Sequence, residues 1–101
     1  MSIWGTTPVS EQPALTLTGW RVFEADGTRH FAGWCVENQE GRVSSAIADF
    51  DAETMLGLTT SGRAYQLVGP PGLNREAEYV MSRWLDFNNI ASVKQLSTEE
   101  I

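Results

Sequence analysis

Cysteine and histidine are nearly absent from this sequence, which contains one of each, Cys35 and His30. Small secreted domains normally carry an even number of cysteines that pair as disulfides, so a single cysteine indicates a reducing compartment. The sequence also lacks an apolar segment of about 20 residues, the length that spans a bilayer. The first residues have neither the basic flank nor the apolar stretch of a secretory signal. We therefore expect a cytoplasmic protein that makes no contact with a membrane.

Basic residues are scarce as well. Seven Lys and Arg residues stand against thirteen Asp and Glu residues, so the formal net charge is −6. Phosphate binding relies on clustered Lys and Arg, and we therefore expect no direct binding to nucleic acid. The negative charge suits a protein that binds a basic surface on another protein. A net charge of this size also keeps a small domain soluble, and the sequence leaves both explanations open.

Motifs for catalysis or cofactor binding are missing. His30 and Cys35 are five residues apart on one predicted strand, which places them on opposite faces, where they cannot act as base and nucleophile. No Gly-x-Ser-x-Gly elbow is present. The segment 69–72, Gly-Pro-Pro-Gly, has two prolines without an N–H and no following Lys, so it does not form a phosphate loop. We predict a protein that is not an enzyme and has no cofactor and no metal site.

The segments that are present predict an α+β fold in a single domain. Five of them alternate between apolar and polar residues or are rich in β-branched and aromatic residues, which is typical of strands. They are residues 14–24, 29–37, 42–50, 54–60 and 63–68. The pairs Asp26-Gly27 and Ser61-Gly62 predict hairpin turns. The short loops predict a five-stranded antiparallel meander, either a sheet or a half-barrel.

One helix is predicted after the strands. Asn74 is a good N-cap, and Asn88-Asn89 is a suitable end because asparagine tolerates the left-handed conformation. Between them, apolar residues recur at helical spacing and form one stripe. They are Ala77, Val80, Met81, Trp84 and Leu85. We expect this helix to pack on the sheet, a short strand within residues 90–96, and loose tails at residues 1–13 and 97–101, so that the domain covers residues 14–96.

The acidic residues Asp49, Asp51 and Glu53 share one parity and would line up on one side of an extended chain. The run Asp51-x-Glu53-Thr54 resembles the first motif of the DnaQ-type exonucleases, but the further aspartates and the chain length of that family are lacking. A Ca²⁺ or Mg²⁺ site would need more oxygen ligands and a glycine at the bend. The pattern is also compatible with a solvated acidic edge or with a contact for a basic partner protein, and we choose the partner contact as our hypothesis.

Four tryptophans are many for one small core. Trp20, Trp34 and Trp84 are candidates for the core, whereas one of them, or Trp4, would serve as an exposed anchor because tryptophan and arginine are enriched at binding hot spots. Our predicted partner contacts are therefore Asp49, Asp51, Glu53, Trp4, Trp20 and Arg63. The alternative function is a small-ligand-binding module with an apolar pocket between sheet and helix, lined by Trp20, Trp34 and Tyr65. Homodimerisation through an uncovered strand edge also stays open.

The C-terminal part of the chain carries one wider resemblance. It rests on Arg42-Val43-Ser44-Ser45, Phe50-Asp51, the run from Thr60 to Gly72, Ala77-Glu78-Tyr79-Val80 and Trp84. With these residues the chain resembles small uncharacterised proteobacterial proteins, some of them in mobile-element neighbourhoods. No activity is established for that group, so the resemblance implies no catalytic residues. It favours an accessory protein, such as an inhibitor of a nucleic-acid-handling or defence complex.

Overall fold

A computed structural model describes residues 12–72, 75–90 and 92–101. Trp4 and the predicted N-cap Asn74 lie outside these residues. Over the described residues the protein is α+β, as predicted, with one α-helix and one sheet. The elements in chain order are β1 Ala14–Ala25, β2 Thr28–Cys35, β3 Glu40–Val43, β4 Ile47–Asp51, β5 Leu56–Thr59, β6 Ala64–Leu67, α1 Arg75–Phe87, β7 Val93–Leu96 and the short 3-10 helix Thr98–Glu100.

The sheet differs from the predicted meander in two ways. It has seven strands rather than five, and it is mixed, because β1 and β6 run parallel while the other pairs are antiparallel. The first difference arises because the predicted third strand, residues 42–50, is divided into β3 and β4 at residues 44–46. In addition, the short strand expected within residues 90–96 forms as β7 and joins the same sheet. A short segment with strand-like residues has the same composition whether the chain runs straight or turns within it, so residue type and spacing alone do not reveal the division.

The division of that segment curls the sheet. The strand order is β3-β2-β1-β6-β5-β4, so β3 and β4 lie at opposite ends of the order although only residues 44–46 separate them. This short link pairs with both sides, because the Ser44 N–H donates to Phe31 O and the Thr60 N–H donates to Ala46 O. Inside the curl, the Arg42 guanidinium reaches from β3 to β6 and donates to the Tyr65 hydroxyl at 3.0 Å. The sheet is open, because β3 and β4 end the strand order, and it is mostly antiparallel.

Strand β1 is the centre of the sheet and bends at Gly19. There the register with β2 shifts between Thr18 and Arg21, and Gly19 has a φ of 51°, a conformation that glycine adopts most readily. One edge of β1 carries β2. The other edge carries β6 along Ala14–Leu17 and β7 along Val22–Ala25. The bend therefore leaves an interval on this edge, between the ends of β6 and β7.

Two apolar clusters hold the fold together. The first fills the inside of the curled sheet and includes the fully buried Leu17 and Phe31. The second lies between the sheet and α1 and includes Phe23 and Met81, with Trp84 packed against it. The predicted apolar stripe of the helix is confirmed, since its residues face the sheet. The predicted helix end is confirmed too, because α1 stops at Phe87 and Asn89 has a φ of 56°.

The hairpin turns follow the sequence closely. Asp26 and Gly27 have φ values of 53° and 83°, as a type I′ turn requires.

At the other end of the chain, Ile101 packs against the first cluster, so the last residues lie on the domain rather than extending away from it. Within the described ranges, no helix combines the length and apolarity needed to cross a bilayer.

Candidate functional site

Asp49 and Asp51 lie side by side on the outer face of β4, which ends the strand order of the sheet. A bulge between Ile47 and Asp49 sets this orientation. It allows Ile47 and Phe50 both to pack against the inner cluster and leaves the two aspartates pointing away from it. The shared parity that the sequence indicated therefore places both carboxylates on one exposed surface.

Two exposed leucines complete this surface. Across the β4–β5 ladder, Asp49 is paired with Leu58 and Asp51 with Leu56, and directly paired residues project from the same face of a sheet. Leu56 is 42% exposed and Leu58 is 46% exposed, values far from those of a core leucine. We call these four residues, Asp49, Asp51, Leu56 and Leu58, the acidic–leucine patch.

The leucines point outward because the inner face of β5 has no room for a side chain. Gly57, which lies between them, faces the ring of Phe31, and a Cβ atom at this position would come within 2.3 Å of that ring. The usual alternation, with leucine inside and small residues outside, is therefore reversed on β5. Sequence reasoning missed Leu56 and Leu58 for this reason, although the pattern Leu-Gly-Leu was the signal that could have revealed them.

The carboxylates of the patch are not neutralised by neighbouring side chains. Asp49 Oδ1 accepts from the Phe50 N–H and Asp51 Oδ1 accepts from the Glu53 N–H, and neither aspartate forms an ion pair with a described residue. Glu53 itself lies in the exposed turn that follows β4. Among the described residues no three His, Cys, Asp or Glu side chains are grouped as a metal site would require.

The other predicted contact residues lie elsewhere. Trp20 and Arg63 are each 4% exposed. The Trp20 indole donates to Gly69 O at 3.1 Å, and the Arg63 guanidinium donates to Gln12 O at 3.0 Å. Side chains this deeply buried leave too little area to anchor another protein. Neither Trp20 nor Arg63 is a strand partner of Asp49 or Asp51. Trp4 lies outside the described residues.

The space between sheet and helix, where the apolar ligand pocket was expected, is filled. Phe23, Met81 and Trp84 occupy it. Farther along the helix, Gly41 of β3 approaches the backbone so closely that a Cβ atom there would lie 2.7 Å from the Cα atom of Ala77. Trp20 and Tyr65 instead belong to the cluster inside the curled sheet. Trp20 and Tyr65, two of the three residues predicted to line the pocket, therefore do not enclose a space under α1.

His30 and Cys35 are separated, as the strand period predicts. Cys35 belongs to the cluster inside the curl, and burial raises the pKa of its thiol. The His30 ring lies on the helix side, stacked on Phe23 and 4.7 Å from the centre of the Trp84 ring. Its Nδ1–H donates to Ser44 O, and in the neutral ring Nε2 accepts from the Thr28 hydroxyl. Through these contacts the His30 side chain links the sheet to α1.

We expect His30 to make the fold sensitive to acid. Burial lowers the pKa of the ring below its ordinary value of 6.5, and the bond to the Ser44 carbonyl opposes this only in part. Well above pH 6.5 the ring is neutral in both the folded and the unfolded state, and His30 then adds no pH dependence to the free energy of unfolding. As the pH falls below that value, the unfolded chain binds a proton that the folded chain excludes, so the free energy of unfolding decreases.

Thermal unfolding of the wild type and of His30→Gln between pH 7.5 and pH 5 measures this effect. The wild type should lose more stability than the variant over this interval, because Gln keeps hydrogen-bonding groups but does not titrate. Parallel curves for the two proteins would show that His30 does not contribute to the acid sensitivity.

The fold and its surface describe a small α+β protein with a curled sheet and an acidic–leucine patch at the β4–β5 hairpin. In comparisons of the chain with protein-family models, with curated proteins and with solved structures, no match was found.

Proposed function

We propose that this protein is a non-enzymatic interaction module that binds a basic surface of another protein through the acidic–leucine patch. The observation that carries the proposal is the direct pairing of Asp49 with Leu58 and of Asp51 with Leu56 at the end of the sheet. This arrangement combines apolar area with two carboxylates that have no cationic partner among the described residues. Exposed apolar groups rimmed by polar ones are typical of protein-binding surfaces.

The two halves of the patch would act differently in binding. The leucines would lose water-exposed apolar area, which provides affinity at about 25 cal/mol per Å² of area removed from water. The carboxylates, together with the net charge of −6, would raise the rate of encounter with a basic partner and select against acidic ones. Binding of this kind weakens as salt screens the exposed charges.

Complexes that handle nucleic acids carry basic surfaces, and they are therefore our narrower choice of partner. In this version the protein acts as an inhibitor that occupies the surface where the nucleic acid would otherwise lie. The acidic charge of the chain supports this choice. A direct contact between this protein and nucleic acid is not part of the proposal.

The test is affinity capture of partners from native cell extract, followed by titration of the purified partner. The double variant Asp49→Asn/Asp51→Asn removes both charges and keeps the side-chain size. It should lower the affinity by about tenfold or more, which is about 1.4 kcal/mol. Leu56→Ser/Leu58→Ser should weaken binding to a similar degree but keep the salt dependence, because both carboxylates are still present. The wild type should bind more weakly as salt is raised.

The matched control is Glu78→Gln/Asp86→Asn, which removes the same charge from exposed positions of α1. It should bind the partner as the wild type does. An equal loss of affinity in Asp49→Asn/Asp51→Asn and in the control Glu78→Gln/Asp86→Asn would mean that only the net charge matters, and the patch proposal would fail. A variant at Asp49 and Asp51 that keeps its partner but self-associates would show that the acids protect the edge of β4 from pairing with another copy, which would also overturn the proposal.

A further inference from the structure

A cavity of about 560 Å³ opens at the bend of β1, and the four residues of the acidic–leucine patch are not among those that line it. It lies in the interval between the ends of β6 and β7, where residues 69–72 cross the edge of β1 and the Gly72 N–H donates to Trp20 O at 2.7 Å. The volume falls within the roughly 300–1,000 Å³ that is usual for small-molecule pockets.

The lining of this cavity is divided by chemistry. Five apolar residues form one part of it. They are Trp20, Val22, Met55, Pro71 and Leu96. The other part is polar and contains residue types that can donate hydrogen bonds. They are Arg21, Gln95, Ser97 and Thr98. Among the described residues that line the cavity, Arg21 is the one that carries a charge, although acidic residues outnumber basic ones in the chain as a whole.

We propose that this cavity binds a small amphipathic anion, with a flat apolar body against the more exposed Met55 and Pro71 and a carboxylate or similar group on Arg21. Arg21 forms no ion pair with a described residue, so its guanidinium is available for such a group. An apolar pocket with a few polar groups that orient the ligand is the usual form of a small-molecule site. A negatively charged pocket would reject an anion, whereas the charge of this lining favours one.

The site is distinct from the patch in place and in charge. The patch presents carboxylates on the outer face of β4, and the cavity presents one cation beside the bend of β1. The ligand pocket that the sequence suggested was placed under the helix, where the structure is filled. The cavity shares only Trp20 with that predicted pocket.

Naphthylacetate and the neutral naphthylethanol are suitable probes, because they share the aromatic body and differ in charge. Binding is followed by NMR through the Trp20 indole N–H and the amide signals of Gly72, Ser97 and Thr98. Naphthylacetate should shift these signals saturably, and naphthylethanol should bind about tenfold more weakly, since a charge-assisted hydrogen bond contributes on that order. The variant Arg21→Gln should reduce naphthylacetate affinity to the level of the neutral probe.

Two further variants make the test specific. Arg29→Gln removes a charge from an exposed arginine that pairs with Glu24, and it should leave naphthylacetate binding unchanged. Gly72→Val, at a position where a Cβ atom meets its nearest neighbour at 3.9 Å, should narrow the cavity and weaken both probes. Equal affinity for the two probes, unaltered binding by Arg21→Gln, or shifts confined to other residues would each overturn the proposal.

Discussion

Phe31→Ala is expected to produce the largest loss of stability of any single change considered for this protein, about 3–5 kcal/mol. The Phe31 ring is completely buried inside the curled sheet, and its centre lies 5.9 Å from the centres of the Phe50 and Tyr65 rings. Its removal would leave a cavity inside the curled sheet, which the surrounding strands fill only in part. The loss of apolar contact and the unfilled space both contribute.

The same ring explains a second, coupled effect at Gly57. A Cβ atom on residue 57 would lie 2.3 Å from Phe31 Cζ, so Gly57→Ala alone should cost about 1–3 kcal/mol through overpacking. In the Phe31→Ala protein the added methyl group enters vacant space, and the cost should largely disappear. The two changes should therefore be non-additive by at least about 1 kcal/mol.

Denaturant unfolding of the wild type, both single variants and the double variant measures this coupling. Each kcal/mol should also lower the Tm by about 4–8 °C in a domain of this size. Additive losses would show that β5 does not lie against Phe31, and the inward position of Gly57 would then be wrong. Because Gly57 orients Leu56 and Leu58 outward, that result would also remove the structural basis of the acidic–leucine patch.

Gly41→Ala is expected to give the second large effect, a loss of about 1–3 kcal/mol that is accompanied by displacement of α1. A Cβ atom on residue 41 would lie 2.6 Å from Glu76 O and 2.7 Å from the Cα atom of Ala77. Both are backbone atoms, so no side-chain rotation relieves the contact. The helix as a whole has to move away from β3, which loosens its packing along the apolar stripe.

The loosening should be visible at the far end of the same contact. Trp84 packs on Phe23 with ring centres 5.6 Å apart, and its fluorescence and the amide exchange of α1 should report the displacement. Gly72→Ala is the matched control, because its Cβ atom would meet only Gly19 Cα at 3.9 Å. That variant should keep wild-type stability or gain a few tenths of a kcal/mol from the reduced entropy of the unfolded chain. Equal behaviour of the two alanine variants would contradict the close contact between β3 and α1.

Local features of the chain were open to prediction because their causes are local. The turn at Asp26-Gly27 depends on residues that accept positive φ, and the α1 stripe depends on the helical repeat. The alternation in residues 14–24 and 29–37 identified β1 and β2 to within a few residues. The shared parity of Asp49 and Asp51 placed both on one face for the same reason.

Contacts between residues far apart in the chain decided which strands are neighbours. They also decided which face of each strand is exposed to solvent. The corner at residues 44–46 joins β3 at one end of the strand order to β4 at the other, and no local pattern distinguishes such a corner from a continuous strand. Leu56 and Leu58 are exposed because Phe31, which is distant in sequence, fills the space beneath Gly57. Trp20 and Arg63, predicted as surface contacts from residue type alone, are buried and bonded to Gly69 O and Gln12 O.

The sequence by itself thus determined the class of fold, the helix, the hairpin turns and the acidic positions on β4, since each follows from residue type, spacing and turn chemistry. Only the tertiary structure decided the curl of the sheet, the outward leucines of the patch and the cavity at the bend of β1. All three result from packing against residues remote in sequence. The space available at each position is a property of the folded chain rather than of any segment.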